Sequence, residues 1–332
     1  MKQFFFNARH RRVDWLFNQY ADASIPDKKV FVQKINQAYY AQSTRIYGDR
    51  FVDDIEASFK SMCQKSGLQK DEGYVVINIG GGTGFEYEQL KRNSIRWSKY
   101  IFIEPDPQMA KAFQERFKND ADRPKVLKGT LSKHLQEVAS YKKKLIVICS
   151  CLHHVIWIEE FLDQLKQVMQ SGDRLVLAHE PNNSYLGSVF MIASYAWRIL
   201  TTDVLWKRLG FWKSKAAIED ARRWQQINKE LVAESAVTKE LPPIVIRRLI
   251  DYWVGTKGDW KAMGVPKESD EGFWKPEDIK KYLGEEFDIT YFQTYRHLGD
   301  PGTRGPLQFI NRTFSRIFMT GGSVFNLVLQ RI

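Results

Sequence analysis

The sequence predicts an α/β fold that is doubly wound around a mostly parallel sheet. An apolar run at residues 74–79 meets consecutive glycines and leads into a helix-forming stretch, which is a strand–loop–helix pattern. Two further apolar runs, residues 100–103 and 145–148, also end in polar residues. The carboxyl ends of parallel strands meet at one edge of a sheet, so we expect a ligand site there.

The glycines narrow the class of ligand. A dinucleotide-binding G-x-G-x-x-G frame fails because Phe85 and Tyr87 stand where its last glycine belongs, and a P-loop would need a lysine after Gly84. The loop consists of Gly80, Gly81, Gly82, Thr83 and Gly84. This spacing resembles the glycine loop of class I (Rossmann-like) S-adenosylmethionine-dependent methyltransferases, where an acid is common at the position of Asn78.

The resemblance implies which cofactor the chain binds and how many strands its sheet contains. It implies that Asn78 and the five loop residues bind S-adenosylmethionine, and that the sheet has seven strands ending in an antiparallel hairpin. We therefore expect strands at residues 287–292 and 324–329. A helix is predicted at residues 51–66, and residues 302–319 are predicted to form an insertion.

The acid at the end of the second strand is predicted to contact the cofactor. Glu104 follows the glycine loop by about one βα unit, and a carboxylate there accepts hydrogen bonds from ribose hydroxyls. The resemblance places the ribose-binding acid at the same strand end. Pro105 follows it, Asp106 and Pro107 should open the next helix, and Met109 is a candidate to pack against the adenine.

Further cofactor contacts are predicted after the third and fourth strands. Many family members place an adenine-binding acid after the third strand, where this chain has Thr130 and Leu131. Ser150 and Cys151 follow the apolar run of the fourth strand, at the ligand-binding edge. We assign all four residues to the cofactor site.

Two adjacent histidines follow the fourth strand. The segment Leu152-His153-His154-Val155 resembles one found in many small-molecule methyltransferases. Either His153 or His154 is a candidate general base, because histidine titrates near physiological pH; ordering the cofactor pocket is the alternative. We expect no metal, since adjacent side chains point in different directions and no third ligand is evident.

The fifth strand, predicted at residues 174–178, ends in His179-Glu180-Pro181. This ending resembles the family's glutamate-proline element. His179 and Glu180 are candidates to deprotonate or orient a substrate nucleophile, and His179 is also a candidate substrate contact. The alternative for Glu180 is that it anchors the following loop.

Four regions are predicted: an N-terminal helical region at 1–70, the cofactor-binding core at 71–183, a helical cap at 184–275 and the completion of the sheet at 276–332. The cap contains most of the tryptophans, which suits an apolar or aromatic acceptor. Candidate substrate contacts outside the core are Tyr39, Tyr40, Tyr47, Trp197, Arg222 and Arg223.

Composition limits the partners and the compartment. Three cysteines exclude a disulfide scaffold and favour a reducing cytoplasm. No apolar run is long enough for a transmembrane helix, although residues 185–197 are apolar enough for a weak contact with a membrane surface. The net charge of +11 favours an anionic small molecule, and nucleic acid is disfavoured because the basic residues are dispersed. The oligomeric state is left open.

The sequence therefore predicts methyl transfer from S-adenosylmethionine to a small-molecule acceptor in specialised metabolism. We expect the acceptor to be apolar or aromatic, with an anionic group. Three alternatives remain: transfer of a carboxymethyl or aminopropyl group from a sulfonium cofactor, methylation of RNA, and cofactor binding without catalysis.

Overall fold

The computed structural model describes residues 15–27, 30–31, 34–35, 38, 52–70, 73–122, 124–155, 158–185, 188–193, 215–241, 276–298, 306–318 and 320–332. The chain divides into two compact units. The first unit comprises Met1–Tyr47 and Asn183–Phe273, and the sheet unit comprises Gly48–Asn182 and Trp274–Ile332.

The sheet unit is built on seven strands. They are β1 Tyr74–Ile79, β2 Trp97–Glu104, β3 Lys125–Lys128, β4 Lys144–Cys149, β5 Arg174–Pro181, β6 Phe287–Tyr295 and β7 Val324–Arg331. The strand order is β3-β2-β1-β4-β5-β7-β6. Strands β1 to β5 pair in parallel, and β7 is antiparallel to both β5 and β6. The predicted fold class, including the antiparallel pair, is confirmed.

Helices of the sheet unit flank these strands. They are α1 Val52–Lys65, α2 Phe85–Arg92, α3 Pro107–Phe117, α4 Leu135–Ser140, α5 Ile158–Val168, α7 Pro276–Leu283 and α8 Pro306–Ile317, and the first unit contains α6 Lys215–Ala233. Helix α3 begins as predicted, because the Asp106 side chain accepts hydrogen bonds from the amides of Gln108 and Met109, and Pro107 is the first helical residue.

The fifth strand is longer than predicted. It does not end at Ala178 but continues to Pro181, with an irregular register between Leu177 and Glu180. His179 lies in this irregular segment with φ 53, and its amide donates to Asn326 Oδ1 at 2.8 Å. The asparagine side chain thus replaces a regular ladder bond, so the strand keeps its pairing to β7 through the irregularity.

The last part of the sheet also differs from the prediction. Strand β6 extends beyond residue 292 to Tyr295, and the predicted insertion at 302–319 contains helix α8. Because β6 is antiparallel to β7, and β7 is antiparallel to β5, the end of β6 returns to the edge where β5 ends. Residues of β6 therefore reach the edge at which the parallel strands end, which the shorter predicted strand did not suggest.

The described part of the first unit centres on α6. Its Ile227 and Leu231 are buried, and the Asn228 side chain bonds both the amide and the carbonyl of Leu241. Ala21 forms an isolated antiparallel bridge with Val237. None of the helices in the described ranges is long and apolar enough to cross a membrane.

Candidate active site

The glycine loop connects β1 to α2 at the carboxyl edge of the sheet. The amide of Gly80 donates to the carbonyl of Ile103 at 2.8 Å, which ties the loop to β2. Gly84 has φ 96, and a Cβ there would lie 2.4 Å from the Phe117 ring, so only glycine lets α2 pack against α3. Gly82 differs, because among the described residues a Cβ there would meet only Met109 Sδ, at 3.6 Å. The loop is thus open at Gly82.

Glu104 lies beside this opening, at the end of β2. It is 4% exposed, and its carboxylate accepts hydrogen bonds from the amides of Gly82 at 3.1 Å and Asp106 at 3.0 Å. Burial raises the pKa of Glu104 to about 7, and the two amide bonds oppose that rise. An open glycine backbone beside a buried hydrogen-bond acceptor fits the ribose of an adenosyl cofactor.

Asn78 lies beneath the loop. Its side chain is fully buried and donates to the carbonyl of Val147 at 3.3 Å. Among the described residues its Oδ1 has no hydrogen-bond partner, and a Cβ on Gly81 would come within 1.9 Å of that oxygen. The side chain thus supports the loop from below, and its neutral amide avoids burying a further charge there.

The other predicted cofactor residues lie at neighbouring strand ends. After β3, Leu131 is buried and starts a short 3-10 turn, while the Thr130 hydroxyl lies 2.7 Å from that of Ser132. Pro105 is exposed and Met109 is half-buried. Of these residues, Met109 lies beside the opening at Gly82, and the contact of all four with the cofactor stays a prediction.

The segment after β4 packs directly against the glycine loop. A Cβ on Gly80 would lie 2.1 Å from Cys151 Sγ, so the two segments are in close contact. Ser150 has φ 51, and its hydroxyl donates to the carbonyl of His179 at 3.2 Å. The ends of β1, β4 and β5 thus meet at Ser150 and Cys151.

Glu180 anchors this segment from β5. The carboxylate is fully buried and accepts hydrogen bonds from the amides of Cys151 and Leu152, both at 2.9 Å, and of His153 at 3.3 Å. His153 Nδ1 lies 2.9 Å from Glu180 Oε2. This geometry favours the anchoring alternative for Glu180 over direct action on a substrate.

The same contact fixes the tautomer of His153. Backbone amides can only donate, so both Glu180 oxygens act as acceptors, and His153 Nδ1 must carry the proton of the shared hydrogen bond. In the neutral ring, Nε2 is therefore the basic nitrogen. A histidine oriented by a carboxylate in this way is a common arrangement of a general base.

Both ring nitrogens of His179 have hydrogen-bond contacts within the protein. Its Nδ1 lies 2.5 Å from Tyr295 Oη, and its Nε2 lies 3.3 Å from Arg296 Nη1. A guanidinium only donates, so Nε2 accepts and Nδ1 holds the proton. Burial, then the charge of Arg296, holds the pKa of His179 well below its usual range. With its basic nitrogen occupied, His179 is poorly arranged to accept a substrate proton.

Two residues at this edge were missed by the sequence analysis. Arg296, with φ 60, also forms a two-point ion pair with Asp54 of α1, at 2.5 and 3.0 Å. Tyr295 and Arg296 lie just beyond the predicted end of β6. The apolar pattern of the sequence continues to Tyr295. A predicted strand that followed this pattern would have ended at Tyr295 and placed both residues at the edge of the sheet.

Glu86 was also missed. This acid lies in the first turn of α2, yet it is 3% exposed and its Oε2 has no partner among the described residues. Burial raises the pKa of Glu86 to about 8, and the nearby charges of Glu104 and Glu180 add to the rise. At neutral pH Glu86 is therefore mostly a neutral acid that lies near the carboxyl groups of Glu104 and Glu180.

Several predicted residues fall outside the described part of the chain. They are Tyr39, Tyr40, Tyr47 and Trp197, together with the side chains of His154, Arg222 and Arg223. Their roles stay predictions. Among the described residues, no cluster of histidine, cysteine, aspartate and glutamate could hold a metal ion.

The central strands of the sheet match a known protein family. Residues 77–177 match a family model described as a methyltransferase domain. No curated protein matches the chain in sequence. Among solved structures, the chain is similar to the plantazolicin methyltransferase BpumL in complex with a triazolic desmethylPZN analogue and SAH, with 11% identity over 99% of this chain and 98% of that chain and a TM-score of 0.44.

Two other solved structures are similar in the same way. Magnesium protoporphyrin IX methyltransferase from Synechocystis PCC 6803, with bound SAH, has 13% identity over 92% of this chain and 100% of that chain, and a TM-score of 0.42. An S-adenosylmethionine-dependent methyltransferase from Clostridium acetobutylicum ATCC 824 has 10% identity over 89% of this chain and 98% of that chain, and a TM-score of 0.41.

The family match spans β1 to β5, the strands that carry the glycine loop, Glu104 and the His153–Glu180 pair. The strand order and the open loop beside a buried acid agree with it. Residues 77–177 therefore form a methyltransferase domain, as the family model describes it.

Proposed function

We propose that this enzyme methylates a small molecule that has an apolar or aromatic body and an anionic group. The observation that carries the proposal is the arrangement at the sheet edge, where His153, held by Glu180, follows the strand beside the glycine loop. The tryptophan-rich segment at 184–275 and the basic net charge support the nature of the acceptor.

In this proposal the chain's residues mainly bind and orient. Glu104 and the open backbone at Gly82 hold the ribose, and Met109, Thr130 and Leu131 border the adenine. When bound, S-adenosylmethionine supplies a methyl group that is already activated by its positive sulfur. The protein therefore has to align the acceptor and exclude water, and it needs a base only when the acceptor must lose a proton.

We assign that base to His153. Glu180 holds Nδ1–H, so Nε2 is the nitrogen that would accept the acceptor's proton, and the resulting imidazolium would lie next to a carboxylate that stabilises it. His179 is assigned a positioning role through Tyr295 and Arg296. We further propose that the enzyme acts in a reducing cytoplasm, since all three cysteines are unpaired.

The test is transfer of label from S-adenosylmethionine carrying a radioactive methyl group. The purified chain is incubated with aromatic and aliphatic acceptors, each with and without a carboxylate or phosphate, and with RNA in a separate arm. We expect label in an anionic small molecule and none in RNA. Label only in RNA would overturn the proposal, and the product mass separates methyl from carboxymethyl or aminopropyl transfer.

The role of His153 has its own readout. In His153→Gln we expect kcat to fall about 10²–10⁴-fold while cofactor affinity stays within about twofold, and the pH dependence of kcat to flatten. An unchanged kcat and pH profile would leave His153 a role in ordering the pocket only.

A further inference from the structure

A cavity lies in the sheet unit, between α1, β6 and α8. Its volume is about 430 Å³, which is in the range of small-molecule sites. Helix α1 contributes Asp54, Ser58, Ser61 and Lys65, which recur at helical spacing on one face. Small and polar side chains thus occupy a helix face that would otherwise pack as core, and they leave the space open.

The opposite wall is basic. Helix α8 contributes Arg312 and Arg316, which lie one turn apart, and Ser315 between them. Together with Lys65 and Arg296, four cationic side chains line the cavity, and among its described lining residues the one carboxylate is that of Asp54.

That carboxylate is already engaged. Both Asp54 oxygens bond to Arg296, so they compensate only one of the cations. Within the described ranges, Lys65, Arg312 and Arg316 have no ion-pair partner. Among the described residues that line the cavity, three cationic side chains therefore have no carboxylate partner, and the Ser58 and Ser61 hydroxyls line the same space.

We propose that this cavity binds the phosphate or diphosphate group of a small molecule. Guanidinium groups bind phosphate oxygens through two parallel hydrogen bonds, and the lysine adds a point charge. A single carboxylate would leave most of the positive charge uncompensated, whereas a phosphate carries about two negative charges near neutral pH. The group belongs either to the methyl acceptor itself or to a separate effector.

The cavity is connected to the catalytic edge. Arg296, which lines it, also contacts His179 Nε2 at 3.3 Å, and both residues have positive φ. A bound anion would therefore rest against the residue that positions His179.

The experiment is a calorimetric titration of the full chain with inorganic phosphate and with diphosphate. We expect saturable binding in a one-to-one ratio that weakens at least about tenfold in the double variant Arg312→Gln/Arg316→Gln. The control, Lys111→Gln/Lys142→Gln, removes two exposed charges outside the cavity and should bind as the wild type does. No binding, or equal weakening in both double variants, would overturn the proposal.

Two further arms identify the source of the phosphate. Phe309 and Ile317, exposed on α8, and Phe318 just beyond it could meet a bilayer, so vesicles containing phosphatidic acid are tested by sedimentation. Binding to vesicles alone, lost in the arginine variant, would overturn the small-molecule assignment.

If diphosphate competes with the acceptor found in the transfer assay, the site holds the acceptor; otherwise it holds an effector. The binding arms need no turnover, so their failure is distinct from failure of the proposed function.

Discussion

At the scale of single residues, Glu104 is a buried acid that lies beside the open backbone at Gly82. The raised pKa of Glu104, about 7, means that half of the unliganded enzyme carries a neutral acid at neutral pH. An ionised carboxylate is the better acceptor for ribose hydroxyls and attracts a cationic ligand. We therefore expect cofactor affinity to rise between pH 6 and pH 8, as Glu104 loses its proton.

The variant Glu104→Gln should lose that pH dependence and weaken binding by about 1–3 kcal/mol at pH 8. Calorimetric titration with S-adenosylmethionine at three pH values measures both effects. The control Glu115→Gln removes an exposed acid from α3 and should retain the wild-type profile. Wild-type affinity in the Glu104→Gln variant would show that the ribose is held elsewhere.

The sequence located some site residues better than others for a physical reason. Glu104 and the glycine loop follow strongly apolar strands, so their place at the edge could be predicted from the chain order. Glu86 could not be found this way, because an acid in the first turn of a helix is ordinarily solvated. Its burial depends on how α2 packs on the sheet, which no local pattern records.

At the scale of elements, the glycines of the loop between β1 and α2 have different structural roles. Gly84 allows helix packing, whereas Gly82 faces the opening beside Glu104. In Gly82→Ala we expect the fold to survive with a loss of about 1 kcal/mol, since φ is 56, and cofactor binding to weaken strongly because the new methyl group enters the opening.

The matched control is Gly67→Ala. Gly67 has φ 76 and open space around it, so it carries the same backbone cost away from the site. Thermal melting should show similar shifts for the two variants, while calorimetry should show normal cofactor binding only for Gly67→Ala. Normal binding in both would remove Gly82 from the cofactor site.

The sequence predicted the boundaries of the central strands well. It predicted those of the strands and helices near the antiparallel end of the sheet less well. Strand β1 is buried on both sides and matches its apolar run, while β5 continues through an irregular segment that carries His179 and Glu180. A bulge breaks the alternation on which strand prediction depends. Helix α8 lay in a stretch predicted only as an insertion, and the basic cavity was missed with it.

At the scale of the whole molecule, the buried acids give stability a distinctive pH dependence. Because burial raises the pKa of Glu86 to about 8 in the folded chain, the folded state binds more protons than the unfolded chain above about pH 4.5. The contribution of Glu86 therefore destabilises the fold increasingly as pH rises toward 8. Glu86→Gln should remove this penalty.

We expect Glu86→Gln to match the wild type near pH 5 and to be more stable at pH 8, by an amount on the order of a few kcal/mol. Urea denaturation at several pH values measures the difference between variant and wild type, which isolates Glu86 from the other titrating groups. Glu88→Gln, which removes a half-exposed acid from the same helix, is the comparison variant. A pH-independent difference between Glu86→Gln and the wild type would contradict the burial argument.

The position of β7 in the sheet has a consequence for how the enzyme is made. Strand β5 leaves the ribosome more than a hundred residues before β7, yet β7 is its partner. Until β7 arrives, β5 presents an unpaired edge, and Asn326 is not yet in place to accept from His179. The nascent chain therefore contains the complete glycine loop well before β7 covers the edge of β5.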